Sequence, residues 1–215
     1  QVLVAKFADH LPLYRQEAIF ARAGFAIPRS TLAQWVGSCG VQLQPLVDAL
    51  KSEVLKFSVL HADETPVAML KPGNGKTHRA YLWAYAPGAF EPIKAVVYDF
   101  CESRAGEHAR AFLGEWRGSL VCDDYSGYKA GFAHGVIEAG CLAHARRKFF
   151  DLHASNKSQV AQSALQQIAT IYEIEREVQS LSAEDRQRIR QVRSRPVLDA
   201  LHQWMLLTRQ KITDG

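Results

Sequence analysis

KFSVLHADETPVAML (56–70), HRAYLWAYAP (78–87) and IKAVVYDF (93–100) are three runs rich in β-branched and aromatic residues. They are separated by the turn formers Lys71-Pro72-Gly73-Asn74-Gly75 and Pro87-Gly88, which predicts antiparallel strands linked as hairpins. Outward from them, SRAGEHARAFLGEW (103–116) repeats with helical period, with Ala105, Ala109, Phe112 and Leu113 on one side. GSLVCDDY (118–125) and GVIEAGCL (135–142) read as short strands with a short helix between them. The order β, β, β, α, β, α, β is that of an α/β, ribonuclease H-like mixed sheet with helices on its faces, as in a retroviral-integrase type core. In that arrangement the first and fourth strands are neighbours.

The flanks are helical. Residues 1–54 form an N-terminal helical segment: HLPLYRQEAIFARAG places Leu11, Tyr14, Ile19 and Phe20 near one stripe and stops at Gly24. A second helix follows from Thr31, with Ser30 expected as its N-cap. The pair reads either as a helix-turn-helix or as an antiparallel pair packed on a neighbour. The core is expected over 55–150, and a C-terminal all-helical insertion over 151–215. Helical patterns run through 142–155, 158–181 and 183–209. Ser182 and Asp185 form a capping box at the start of the last, and Pro196 should interrupt it.

Composition narrows the class. The 215 residues are 47% hydrophobic and 22% charged, proportions that exclude a disordered tail or a fibre. No apolar run approaches the roughly 18 residues of a membrane helix, and the start lacks a signal peptide, so the reading is a cytoplasmic protein with no membrane partner. Cys39, Cys101, Cys122 and Cys141 are scattered and expected to be reduced. A net charge of +4 permits nucleic-acid binding without requiring it. The chain has no initiator Met and ends in TRQKITDG, which reads as an excised fragment.

Two carboxylates stand where strands end: Asp63 in LHADETP and Asp123 in LVCDDYSGY. Runs such as SVLHA and SLVC normally exclude ions, since a desolvated carboxylate without a partner costs several kcal/mol. The ordinary partner is a turn amide or an arginine. On neighbouring strands, however, the two would repel unless a divalent cation sat between them, and hard oxygen ligands select Mg²⁺ or Mn²⁺. A pair of such ions about 4 Å apart supports in-line phosphodiester displacement.

At these residues a resemblance becomes specific. LHADETPV, HRAYLWAY, VCDDYSGYKAGF and AGCLAHARRKFFDL, followed by IYEIEREV and RSRPVLDAL, are similar to blocks of the insertion-sequence-66 family of bacterial DDE transposases, over residues 58 to about 205. The resemblance implies metal-dependent cleavage and strand transfer at insertion-sequence ends in double-stranded DNA. It also implies self-association in a DNA complex beside the bacterial nucleoid. Asp63 matches the family's first catalytic aspartate and Asp123 its second. Asp124 stands where the family often has glycine, so Asp123 and Asp124 both remain readings, with Asp123 favoured by position. The family's catalytic glutamate lies in a later Asn-Asn-x-x-Glu-Arg block, which places it beyond Gly215. Within the chain the best substitute is Glu175, in step with Ile168, Ile171, Tyr172 and Val178, although it reads more readily as a structural partner of Arg146 or Arg147. Glu64 is a weaker substitute, because strand alternation sends it to the face opposite Asp63. The alternatives are a ribonuclease H-like nuclease or resolvase, and a catalytically incomplete DNA-binding or assembly fragment.

Arg146, Arg147 and Lys148 open the helix after the last strand and read as phosphate contacts beside the site, against plain surface charge. Arg186, Arg188, Arg190, Arg193 and Arg195 either track DNA or solubilise a helix. Tyr81, Trp83 and Tyr85 read as core more readily than as base-stacking residues. Cys141 and His144 lack the second pair a zinc site needs. His61 reads as core or as a support for Asp63.

Overall fold

The computed structural model describes every residue except Pro72, Asn74, Ala133, His134, Asp214 and Gly215; the side chains of Ile212 and Thr213 are also left out. The expected turn at 71–75 therefore falls partly outside the described residues. Two compact units form, Gln1–Ala139 and Gly140–Gly215.

The first unit is mixed α/β. Helices α1 (Val2–Phe7), α2 (Leu13–Arg22) and α3 (Arg29–Val54) lead into β1 (Val59–Met69), β2 (His78–Pro87) and β3 (Val97–Cys101). Then come α4 (Gly106–Leu113), β4 (Ser119–Cys122), α5 (Ser126–Phe132) and β5 (Ile137–Gly140). The expected element order is observed. The five strands lie in the order β3-β2-β1-β4-β5. β1 pairs antiparallel with β2, from Leu60 opposite Pro87 to Met69 opposite His78, and β2 pairs antiparallel with β3. β1 and β4 run parallel, with Val59, Leu60 and His61 opposite Ser119, Leu120 and Val121.

Alternation sorts the strands' side chains as their polarity predicts. Leu60 and Ala62 of β1, Trp83 and Tyr85 of β2, and Leu120 and Cys122 of β4 enter one core with Ala109, Phe112 and Leu113 of α4. Tyr85 stacks on Phe112 with centroids 3.7 Å apart, and Trp83 meets the Tyr128 ring edge-on at 5.6 Å. These rings are core, and Trp83 and Tyr85 are fully buried. Trp116 donates its indole N–H to the Phe57 carbonyl at 2.9 Å, tying the end of α4 to the entry of β1. A Cβ built at Gly106 would run into the backbone of Gly127, so the absence of a side chain lets the start of α4 cross the start of α5.

Two local expectations about the N-terminal helices need correction. α3 begins at Arg29 with Pro28 as its N-cap residue, so Ser30 lies inside the helix. The Arg29 amide is satisfied instead by the Glu17 carboxylate, 2.7 Å away on α2. The stripe of α2 is also not the buried one. Tyr14 and Ile19 are exposed, whereas Gln16 is buried and donates to the Leu11 carbonyl at 3.0 Å. Gly24, with φ +86°, ends this helix as expected.

The second unit contains α6 (Leu142–Asn156), α7 (Gln159–Val178), α8 (Ala183–Ile189) and α9 (Arg195–Thr213). Ser158 and Ser182 cap α7 and α8, and the Ser182 hydroxyl accepts from the Asp185 amide at 3.1 Å while donating to its carboxylate at 3.1 Å. Pro196 acts as expected. A π-helical turn at Arg190–Ser194 precedes α9, a wider turn that accommodates the hydrogen bond proline cannot make.

Candidate active site on β1 and at the end of β4

Beyond the last β1–β4 pair, His61 with Val121, two steps along each strand bring Asp63 and Asp123. Asp63 lies inside β1, opposite Ala84 of β2, which corrects its reading as a strand-end residue: pairing with β2 continues past it to Met69. Asp123 is the first residue past β4, where the chain turns into α5. The turn is built by the aspartate itself, whose Oδ1 accepts the Tyr125 amide at 3.0 Å. Asp124 points to solvent, its side chain 83% exposed, and pairs with Lys129 at 2.7 Å. Lys129 also meets Glu138 at 2.7 Å, and these two hydrogen-bonded carboxylates raise its pKa. His61 is exposed on the Asp63 side of β1, which corrects its reading as a core residue. Partial desolvation of its ring lowers its pKa.

The opposite side of β1 carries a second acidic group. Glu64 shares the buried face with Leu60 and Ala62, its side chain only 1% exposed. Both of its oxygens are occupied: Oε1 accepts from Arg104 Nε at 2.8 Å and from Arg104 Nη2, and Oε2 accepts the Tyr128 hydroxyl proton at 2.7 Å. Burial and the Glu64 hydrogen bond push the Tyr128 pKa far up, so this phenol remains a donor.

Arg104 joins the two sides. Its guanidinium carbon lies 3.8 Å from the Tyr125 ring centroid, and its Nη2 is 3.9 Å from Asp123 Oδ2. The Tyr125 hydroxyl donates to the Arg104 carbonyl, closing the cluster. A single cation thus neutralises the buried glutamate and faces the aspartate at the end of β4. Sequence reading missed this use of Arg104, Tyr125 and Tyr128. The signal was present in part: the alternation that removed Glu64 from the Asp63 side also buried it, and a buried carboxylate requires a donor. That the donor is Arg104, forty positions on, is set by tertiary structure.

As for a metal, Asp63 and Asp123 offer hard oxygen donors of the kind Mg²⁺ or Mn²⁺ takes, and Mg²⁺ sites often use one or two carboxylates plus substrate phosphate. The donor chemistry fits such an ion. Among the described residues no three His, Cys, Asp or Glu side chains form a metal-holding group.

The other expected site residues belong to the helical unit. Glu175 on α7 is held by Arg190, with Nε–Oε1 at 2.8 Å and Nη2–Oε2 at 2.6 Å. Arg146, Arg147 and Lys148 lie exposed on α6. The later arginines are largely neutralised: Arg188 by Asp185, Arg193 by Glu177 and Arg195 by Asp199.

The family profile described as "Transposase IS66 family" matches residues 1–215, the whole chain. The chain belongs to the IS66 transposase family. Similar proteins include the uncharacterized proteins y4qI, y4jD and y4hP of Sinorhizobium fredii (strain NBRC 101917 / NGR234). They are 39%, 39% and 33% identical to it over 93%, 99% and 99% of this chain. The chain covers 39%, 44% and 42% of their lengths, about two fifths of each. Among the described residues of this IS66-family chain, no helix is long and apolar enough to cross a membrane.

Proposed function

We propose that Asp63 and Asp123 form the metal-binding part of a DDE-type active site in a ribonuclease H-like core, acting on double-stranded DNA at insertion-sequence ends. The observation that carries this reading is the parallel β1–β4 register in a chain of this family. The pairing ends at His61–Val121, and the chain reaches Asp63 and Asp123 two residues further on, along strands that neighbour each other about 4.8 Å apart. Two acceptor-only carboxylates at that spacing repel each other and favour a divalent cation.

Mg²⁺ or Mn²⁺, when bound, would supply activation of the attacking oxygen, a water or a DNA 3′-hydroxyl, and stabilisation of the leaving oxygen. The chain's own residues do the rest. The Tyr125 amide fixes one oxygen of Asp123, and the other lies 3.9 Å from Arg104, which offsets its charge. Asp63, on a strand paired through its length with β2, is held by the backbone of the sheet. Arg146, Arg147 and Lys148 supply sequence-independent attraction to phosphates. Glu175, already engaged by Arg190, acts in this reading as a structural group. Cleavage and joining at two DNA ends also call for self-association of the protein on DNA.

The test is cleavage, by the full-length protein that carries this chain, of a plasmid bearing the element's terminal sequences, with Mg²⁺ or Mn²⁺. Asp63→Asn and Asp123→Asn should each abolish cutting while the circular-dichroism spectrum stays native; Asp124→Asn and Glu175→Gln should still cut. Cutting by Asp123→Asn and its loss in Asp124→Asn would reassign the ligand. Loss in Glu175→Gln, with its fold intact, would make that glutamate the third carboxylate.

A further inference from the structure

In the helical unit, α6 and α7 border a groove of about 490 Å³, a size that suits a small ligand or a single nucleotide. Arg146, Arg147 and Phe150 reach it from α6, and Tyr172 and Arg176 from α7, at spacings of three and four residues that set each group on one helix face. Ala143 and Ala169 keep its floor open. Phe150 is 52% exposed, and the Arg146 guanidinium carbon lies 6.0 Å from its ring centroid. Among the described residues the ion-pair contact of Arg176 is a long one, 4.0 Å to Glu173, whereas Arg188, Arg190, Arg193 and Arg195 have carboxylate partners at 2.5–3.2 Å.

Whereas the four later arginines meet acids, three guanidinia are set around one groove together with two aromatic rings. Three guanidinia gathered in this way repel one another and call for an anion. Phosphate meets the guanidinium fork in bidentate geometry. The rings contribute nothing to phosphate binding, but they offer faces for a base, with arginine stacking beside them.

We propose that this groove receives an unpaired nucleotide of a DNA strand, its phosphates held by Arg146, Arg147 and Arg176 and its base stacked on Phe150 and Tyr172. The inference rests on the DNA reading above and adds a strand-state preference to it. The probes are a blunt duplex and the same duplex with a three-nucleotide single-stranded overhang, titrated against the purified protein at two salt concentrations. The overhang should bind about tenfold more tightly. Phe150→Leu/Tyr172→Leu, which keeps apolar bulk without π faces, should lose that preference, hold the blunt-duplex affinity within about threefold and retain its helical spectrum. Arg176→Gln should weaken both probes and flatten the salt slope by about one. Equal binding of the two probes by the unaltered protein, or a preference that survives in the double leucine variant, overturns the groove assignment alone. Failure to bind even the blunt duplex overturns the DNA reading with it.

Discussion

Removing Arg104 tests how the buried acid beneath the candidate site is held. The Glu64 side chain is 1% exposed and that of Arg104 40%, so one partner is dry and the other wet. Breaking a buried pair from one side costs about 3–5 kcal/mol, because the remaining charge loses its compensation. With water reaching the arginine side, the lower end applies, and Arg104→Ala should cost about 3 kcal/mol. Arg104→Met, which keeps the stem against Tyr125, should cost nearly as much. Glu64→Gln keeps the shape and can still accept from Tyr128, so about 1–2 kcal/mol is expected. The double variant Arg104→Met/Glu64→Gln removes both charges and should also cost about 1–2 kcal/mol, leaving a coupling energy of about 2–3 kcal/mol. Urea unfolding followed by tryptophan fluorescence reads this directly, since Trp83 and Trp116 lie in the same core. Additive single effects, or an Arg104→Met cost below about 1 kcal/mol, would refute the claim that this arginine compensates a buried charge.

Gly106→Ala should destabilise the protein by about 1–3 kcal/mol, because its Cβ meets the Gly127 backbone, which is not free to move aside as a flexible side chain would be. Gly37→Ala, in open space on α3, should instead stabilise by about 0.5–1 kcal/mol, and thermal melts of the two give opposite signs. Burial pushes the Cys101 thiol up to about 11 and the Cys122 thiol up to about 12, so at pH 8 a disulfide reagent should label Cys39 and Cys141 first. The sign follows for stability. A raised thiol pKa contributes fully below the ordinary value near 9.0 and is lost as pH climbs towards 11 and 12, so alkaline unfolding should begin in that window.

Much of the architecture was legible because the patterns that carry it are local. Alternation in HRAYLWAYAP set Trp83 and Tyr85 on one face, and that face is the core. The Ser182–Asp185 cap and the interruption at Pro196 depend on hydrogen bonds within a few residues, and both are found where the sequence puts them. Ser30 failed as a cap because the Glu17 carboxylate of another helix satisfied the first amide of α3, a competition between elements that no short window records. At the site, the sequence determined that Asp123 follows the end of its strand and that Glu64 lies on the opposite face from Asp63, whereas Asp63 itself stands inside β1, because pairing with β2 carries that strand on to Met69. Tertiary structure alone decided which cations meet which acids: Arg104 with Glu64, Arg190 with Glu175, Lys129 with Asp124. The physical reason is range. Side-chain periodicity repeats over two to four residues, whereas a buried charge must find its partner wherever folding brings one within about 3 Å.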